Sequence, residues 1–193
     1  MIKLEQHLKN NHNKILNNSV DNDTFLTMTN EAIKEFITAR APEAIYDESG
    51  EWLNMIVEPH QLKPIAAALM GQPMQMDFLF CLTCVDYKTH LTMVYHLTAT
   101  KNRNINLVLK ANIDRANPTI ETVCDLWRTA EFHEREVFEM FGVQFANHPD
   151  LRRLILEDEP ASAGDEKKES GHEPKGYWPL RKDFEDPINM IKL

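Results

Sequence analysis

Glu134 stands on the wrong face of its helix, and that position constrains the fold more than any other. From Ala130 to Phe141 the apolar residues Val137, Phe138 and Phe141 recur at helical spacing, and Gly142 follows where a helix end needs a residue tolerant of φ > 0. Glu134 shares the face of Ala130, Val137 and Phe141, so its carboxylate must be partly buried or meet a partner, and a buried charge without one is costly. The polar side carries Glu131, Arg135 and Glu139 at i, i+4 and i+8, a ladder worth about 0.2–0.5 kcal/mol per pair. Beyond the helix, Asn147-His148-Pro149-Asp150 reads as a turn, since Asn, Pro and Asp each favour one. It is expected to deliver Arg152 and Arg153 back towards Glu134 and Glu136 as a carboxylate–guanidinium network. Within it, Arg152 would act through a bidentate fork that lysine cannot supply.

The remainder of the chain predicts an α+β domain of two layers, helices packed on a mixed, mainly antiparallel sheet, over residues 1–156. Leu4, Leu8, Ile15 and Leu16 suggest an amphipathic helix over 2–16, followed by a short strand at 24–28. A helix over 30–40 ends before Pro42, and Trp52 to Val57 reads as a strand. The next helix carries the stripe Leu62, Ile65, Ala66, Leu69 and Met70, with Pro64 placed in its first turn. Phe78 to Tyr87 is apolar on both faces and reads as a central strand. Leu91–Ala99 and Asn104–Lys110 alternate as half-buried strands, and short loops make the three an antiparallel meander. His96 is read as a solvated residue of a polar strand face. Thr122 and Asp125 have the spacing of a capping box leading into the helix that begins at Ala130.

Composition narrows the function. A net charge of -9 with no basic stripe argues against a nucleic-acid partner. No apolar run approaches the ~18 residues of a membrane span, so any membrane attachment is expected to come through partners. Cys81 and Cys84 form a C-x-x-C, but three residues apart in a strand they point to opposite faces. With Cys124 alone in addition, a four-cysteine metal or cluster site is not available. His133-Glu134 lacks the second histidine of a zinc-protease helix, because Val137 stands in its place, and no phosphate-binding glycine loop or nucleophile elbow is present. Glu134 and Glu136, two apart on a helix, diverge too far for an acid/base pair. Residues 157–176 read as an acidic flexible linker, whose stretch from Glu157 to Glu173 supplies -5 of the net charge. Residues 177–193 read as an extended partner-binding tail, in which Trp178 beside Arg181 is the composition enriched at interfaces.

Two motifs carry a resemblance. Glu134-Arg135-Glu136, Glu139, Met140-Phe141-Gly142 and the run His148-Pro149-Asp150-Leu151-Arg152-Arg153 closely resemble the signature of the 30-kDa subunit of respiratory NADH:quinone oxidoreductase (complex I). Pro179-Leu180-Arg181-Lys182-Asp183 is similar to that family's second signature. The resemblance covers residues 131–183 by motif and 58–130 by pattern. It implies a component of the peripheral arm with no cofactor of its own, the complex's NADH, FMN, iron–sulfur clusters and quinone being handled by other subunits. The implied partner is the 49-kDa quinone-site subunit, and the implied place is the cytoplasmic side of the bacterial inner membrane. By the same resemblance Glu134, Arg135, Glu136, His148, Pro149, Asp150, Arg152, Arg153, Pro179, Leu180, Arg181 and Asp183 are structural and interface residues, none of them catalytic. The chain departs from the pattern at Glu139, where the family more often has Asp, at Asn147, at Trp178 and in the length of the acidic linker. Two alternatives stay open: the equivalent subunit of a ferredoxin-linked or hydrogenase-type membrane complex, and a stand-alone soluble enzyme built on His133 and Glu134.

Overall fold

A computed structural model of the chain describes residues 29–48, 50–156 and 178–184. The helix expected at 2–16, the strand at 24–28 and the linker at 157–176 lie outside the described residues. The order of elements is α1 (Asn30–Thr38), β1 (Ile45–Asp47), β2 (Leu53–Val57), α2 (Pro59–Met70), β3 (Phe78–Asp86), β4 (His90–Ala99), β5 (Asn102–Asp114), β6 (Thr119–Glu121), α3 (Ala130–Phe141) and β7 (Gln144–Ala146).

Five strands form one sheet in the order β1-β2-β5-β4-β3. The β3-β4-β5 meander is antiparallel, as is β1 with β2, and β2 lies parallel to β5 after the crossover through α2. Period-two alternation decides which face is covered. Leu91, Met93, Tyr95 and Leu97 of β4 and Leu107, Leu109, Ala111 and Ile113 of β5 point to the helix side, all at 4% exposure or less. Against them pack Ile33 and Ile37 of α1, Leu62, Ile65 and Leu69 of α2, and Val137, Phe138 and Phe141 of α3. At roughly 1.5–3 kcal/mol per large apolar side chain, this single core accounts for the two-layer architecture.

Several expectations need correction. β3 is an edge strand, not a central one, and its second face exposes Phe78 and Val85. The apolar run that suggested burial on both sides reflects this uncovered face. Pro64 lies inside α2, beyond the first turn where Pro59 sits, so the helix forgoes one hydrogen bond to the carbonyl four residues back. Thr122 opens a helical turn, in which Cys124 N–H donates to its hydroxyl, but Asp125 pairs with Lys63 at 3.2 Å instead of closing a capping box. The parallel pair β6–β7 has no strong sequence signal; three residues each are too few for a visible alternation.

The Trp127 indole N–H donates to the Met76 carbonyl at 3.1 Å in a fully buried contact that ties the loop before β3 to the entry of α3. Trp127→Phe keeps most of the packing but orphans that carbonyl. It is expected to lower stability by about 1–3 kcal/mol in urea unfolding with an unchanged m-value.

Candidate functional site

The site grows from the charged residues that α3 buries. Glu134 is 0% exposed. Its carboxylate accepts from the Thr122 hydroxyl at 2.5 Å, from Val123 N–H at 2.8 Å and from the Cys124 thiol at 3.3 Å. The sequence places these donors together because the turn at 122–127 runs directly into α3. On the far side stands His148, whose side chain is also fully buried, with Nε2 3.9 Å from Glu134 Oε2. Its tautomer follows from its neighbours: Nδ1 accepts from Asp150 N–H at 3.0 Å, so Nε2 carries the proton and donates to the Glu131 carbonyl at 3.1 Å. Burial pushes the Glu134 carboxyl above its ordinary value, while its hydrogen-bond donors pull the other way. Burial likewise pushes the Cys124 thiol up to about 12, so it is a donor and not a thiolate.

Cys124, Glu134 and His148 bring their ligand atoms within 4.8 Å of one another, the donor set of a zinc site. Their hydrogen bonds oppose that use. Both His148 nitrogens are engaged with the backbone, and the Cys124 thiol donates to Glu134. The cluster is a neutral-donor cage around one carboxylate.

Arg135 and Glu139 correct the expected surface ladder, since both are buried, at 6% and 1% exposure. They face the irregular segment that follows the His148 turn. Arg135 donates from Nε and Nη2 to the carbonyls of Arg152 and Arg153, at 3.0 and 2.9 Å. Glu139 accepts from three successive amides, Leu154, Ile155 and Leu156, at 3.2, 2.8 and 2.7 Å. The expected pairing of Arg152 with Glu134 is therefore replaced by charge-to-backbone bonds, and Arg152 itself pairs with Asp150 at the surface. Glu136 and Pro149 are exposed. The physical reason is that an irregular segment leaves donors and acceptors that need partners, and buried charged groups satisfy them most strongly.

The second signature folds back onto the end of the same helix. Trp178 lies over Gly142, which has φ +76°; a Cβ there would fall 2.5 Å from the indole ring. Leu180 N–H donates to the Met140 carbonyl at 3.2 Å and Arg181 Nε to the Phe141 carbonyl at 2.7 Å, capping α3 at its negative end. Lys182 N–H reaches Asp86, the last residue of β3, which also receives Arg115 bidentately at 3.0 Å on each oxygen. Arg115 further pairs with Asp183. The Arg115 guanidinium holds the buried Asp86 carboxyl well below the usual carboxylate range. Asp86, Arg115, Thr122 and Glu139 were not singled out by sequence as anchors. Of these, Asp86 carried a signal, since it continues the inward series Leu82, Cys84.

Four large apolar side chains remain exposed on α3 and on the two segments bonded to it: Phe132 at 55%, Leu154 at 40%, Ile155 at 62% and Leu180 at 55%. The fold and this site define an α+β scaffold module that fixes two irregular segments on one helix and displays their side chains.

The family model described as the respiratory-chain NADH dehydrogenase 30 Kd subunit matches residues 55–187, and the chain belongs to this family. It is 35% identical over 158 residues to a subunit of the F(420)H(2) dehydrogenase of Methanosarcina mazei, covering 79% of this chain and 90% of that protein. It is 33% identical to a subunit of the NADH-quinone oxidoreductase of Roseiflexus sp., covering 69% and 80%. Among solved structures, the Nqo5 trypsin-resistant fragment matches with a TM-score of 0.53 at 28% identity, over 61% of this chain and 97% of the fragment. One polypeptide of the membrane-bound sulfane sulfur reductase, an archaeal respiratory membrane complex, matches with a TM-score of 0.61 at 25% identity, over 80% and 85%. No helix among the described residues is long and apolar enough to cross a membrane.

Two outcomes test the anchors. Arg152→Lys is expected to leave stability within about 0.5 kcal/mol, because its pair with Asp150 is exposed. Arg135→Lys, by contrast, keeps the charge but loses the two-carbonyl fork and is expected to cost about 1.5–3 kcal/mol in the same unfolding assay. Asp86 supplies a pH dependence with a definite sign. Its folded pKa is lowered, so its stabilisation is present above the ordinary value of 3.8 and is lost as the pH falls below it. Acid titration followed by Trp178 fluorescence is expected to show the strap leaving Gly142 in that window, and Asp86→Asn is expected to remove the step.

Proposed function

We propose that the chain is a non-catalytic structural and assembly subunit of the peripheral arm of a proton-pumping NADH:quinone oxidoreductase, packing on the 49-kDa quinone-site subunit. The observation that carries this is the set of exposed apolar side chains Phe132, Leu154, Ile155 and Leu180, of which Leu154 and Ile155 stand on backbone bonded to buried Glu139 and Leu180 on backbone bonded to the end of α3. Preorganised apolar side chains over a fixed main chain lower the ordering cost of association. Glu134 supports the absence of catalysis, since a carboxylate with no exposed surface and its donors already engaged is not placed to meet a substrate. In this reading the chain holds no cofactor; NADH, FMN, iron–sulfur clusters and quinone belong to other subunits. It sits on the cytoplasmic side of the inner membrane, attached through its partners.

A second reading has its own support. The likeness to a subunit of an F(420)H(2) dehydrogenase and to a polypeptide of a sulfane sulfur reductase complex favours an equivalent subunit in a membrane complex with a different electron donor or terminal reaction. The scaffold role is the same in both.

The test is assembly. Ile155→Asp combined with Leu180→Asp removes two exposed apolar contacts without touching the core. Incorporation into the complex on native gels is expected to fall at least about tenfold, the equivalent of roughly 1.4 kcal/mol. The isolated subunit's melting temperature is expected to stay unchanged. Undiminished incorporation would sink the assembly reading. In-gel activity with NADH of the wild-type band separates the two complexes, because a large band inactive with NADH moves the assignment to the second.

A further inference from the structure

The face of the sheet turned away from the three helices carries a groove of about 410 Å³. Val94 and Val108, both buried, line it, together with Trp52, which precedes β2, and Tyr87, which follows β3 and is 54% exposed. Two polar side chains of this groove find no partner among the described residues. His96, expected as a solvated residue, is half-buried beside the rings of Trp52 and Phe80, with centroids 5.8 and 5.6 Å away, and its Nδ1 has no hydrogen-bond partner. Lys110, opposite Val94 in register, is half-buried and makes no ion pair among the described residues. The other half-buried lysines among them, Lys34 and Lys63, are each paired, with Glu48 at 2.6 Å and with Glu121 and Asp125 at 3.4 and 3.2 Å. Glu51 also lines the groove, but it is exposed and forms no ion pair with Lys110.

These two groups define the chemistry of what fits. A half-buried ammonium has given up part of its hydration, and an enclosed ring nitrogen without a partner carries its desolvation cost unrelieved. One carboxylate answers both. It neutralises Lys110, and it opposes what lowers the His96 pKa, which is burial first and the Lys110 charge as a smaller cause. With that charge offset, the imidazole can carry a proton on Nδ1 and donate it to the same carboxylate. The rings around the groove decide the source of the carboxylate. Phe78 is 40% exposed and lies beside Phe80, with centroids 6.4 Å apart, outside the groove itself. A small molecule filling the groove would leave Phe78 uncovered, whereas a protein segment crossing it covers Phe78 and Tyr87 together, and aromatic side chains are enriched at protein interfaces.

We propose that this groove is a second docking surface of the chain, filled in the assembled complex by an aspartate or glutamate of another subunit that pairs with Lys110 and bonds to His96, with apolar residues flanking it on Trp52, Phe80 and Tyr87. The proposal rests on the subunit reading above and adds a contact on the sheet face opposite the helix layer.

The experiment treats the assembled complex with a carbodiimide and maps cross-links by mass spectrometry. The reagent activates a carboxyl group, and an ammonium in contact with it, once deprotonated, displaces the activated oxygen, which leaves as a urea while an amide forms. An amide between Lys110 and an aspartate or glutamate of another subunit is the expected result. Lys110→Glu is expected to lower incorporation on native gels at least about tenfold while the melting temperature of the isolated chain holds, and Lys110→Arg is expected to leave it near the wild-type level. Lys110→Met, which removes the charge without reversing it, is expected to fall between them. A Lys110 amide to a carboxylate of its own chain or of a second copy, or no Lys110 amide at all, would overturn the proposal, as would incorporation indifferent to Lys110→Glu. If Ile155→Asp with Leu180→Asp still blocks assembly in that case, the subunit reading stands and this docking surface alone is lost. A wild-type chain that enters no complex removes both.

Discussion

The structure depends on one kind of contact: a buried charged side chain of α3 bonded to main-chain atoms of a segment without regular structure. Glu134 accepts from Val123 N–H, Arg135 donates to the carbonyls of Arg152 and Arg153, and Glu139 accepts from the amides of Leu154, Ile155 and Leu156. A helix or sheet satisfies its own backbone, whereas a loop packed on a core leaves donors and acceptors that must find partners. Charge-assisted bonds to those groups are roughly twice as strong as neutral ones. Three residues of one helix thus fix the segments on either side of it, and the exposed side chains of those segments inherit a defined position.

The same logic closes the other end. At its C-terminus α3 offers unsatisfied carbonyls, and the strap supplies Leu180 N–H and Arg181 Nε to two of them. Gly142 is required twice over, by its φ of +76° and by the indole plane of Trp178 against its Cα. Asp86 then joins the strap to the sheet, so that β3, α3 and the two signature segments form one connected unit.

Much of this was legible in the residues. The three-stranded meander, the helix stop at Gly142 and the buried position of Glu134 follow from periodicity and from glycine's backbone freedom, which act locally. The partners of Glu134 were not legible, because Thr122 and His148 come to it from turns whose geometry no period reports. Arg135 and Glu139 were misplaced for a related reason. Spacing puts them on a polar side, but a polar side can be covered by a segment that needs charges, and only the tertiary contact reveals it. The edge position of β3 escaped in the opposite direction: an apolar run on both faces reads as burial, and here one of those faces is left uncovered by the described residues.

Perturbed titration is ordinarily a pointer to catalysis, since reacting groups need shifted pKa values. In this fold the shifts of Glu134, Cys124 and Asp86 each have an identifiable structural cause. Glu134 is raised by burial inside a cage that leaves it no surface, and Cys124 is raised by burial with its thiol aimed at that carboxylate. Asp86 is lowered chiefly by Arg115, and the two together receive the strap through Lys182 N–H and Asp183. A catalytic carboxylate is held where substrate can reach it, with acceptor capacity to use. Glu134 and Glu139 of this helix face inward and have acceptor sites occupied by the chain itself, whereas Glu136 stays at the surface.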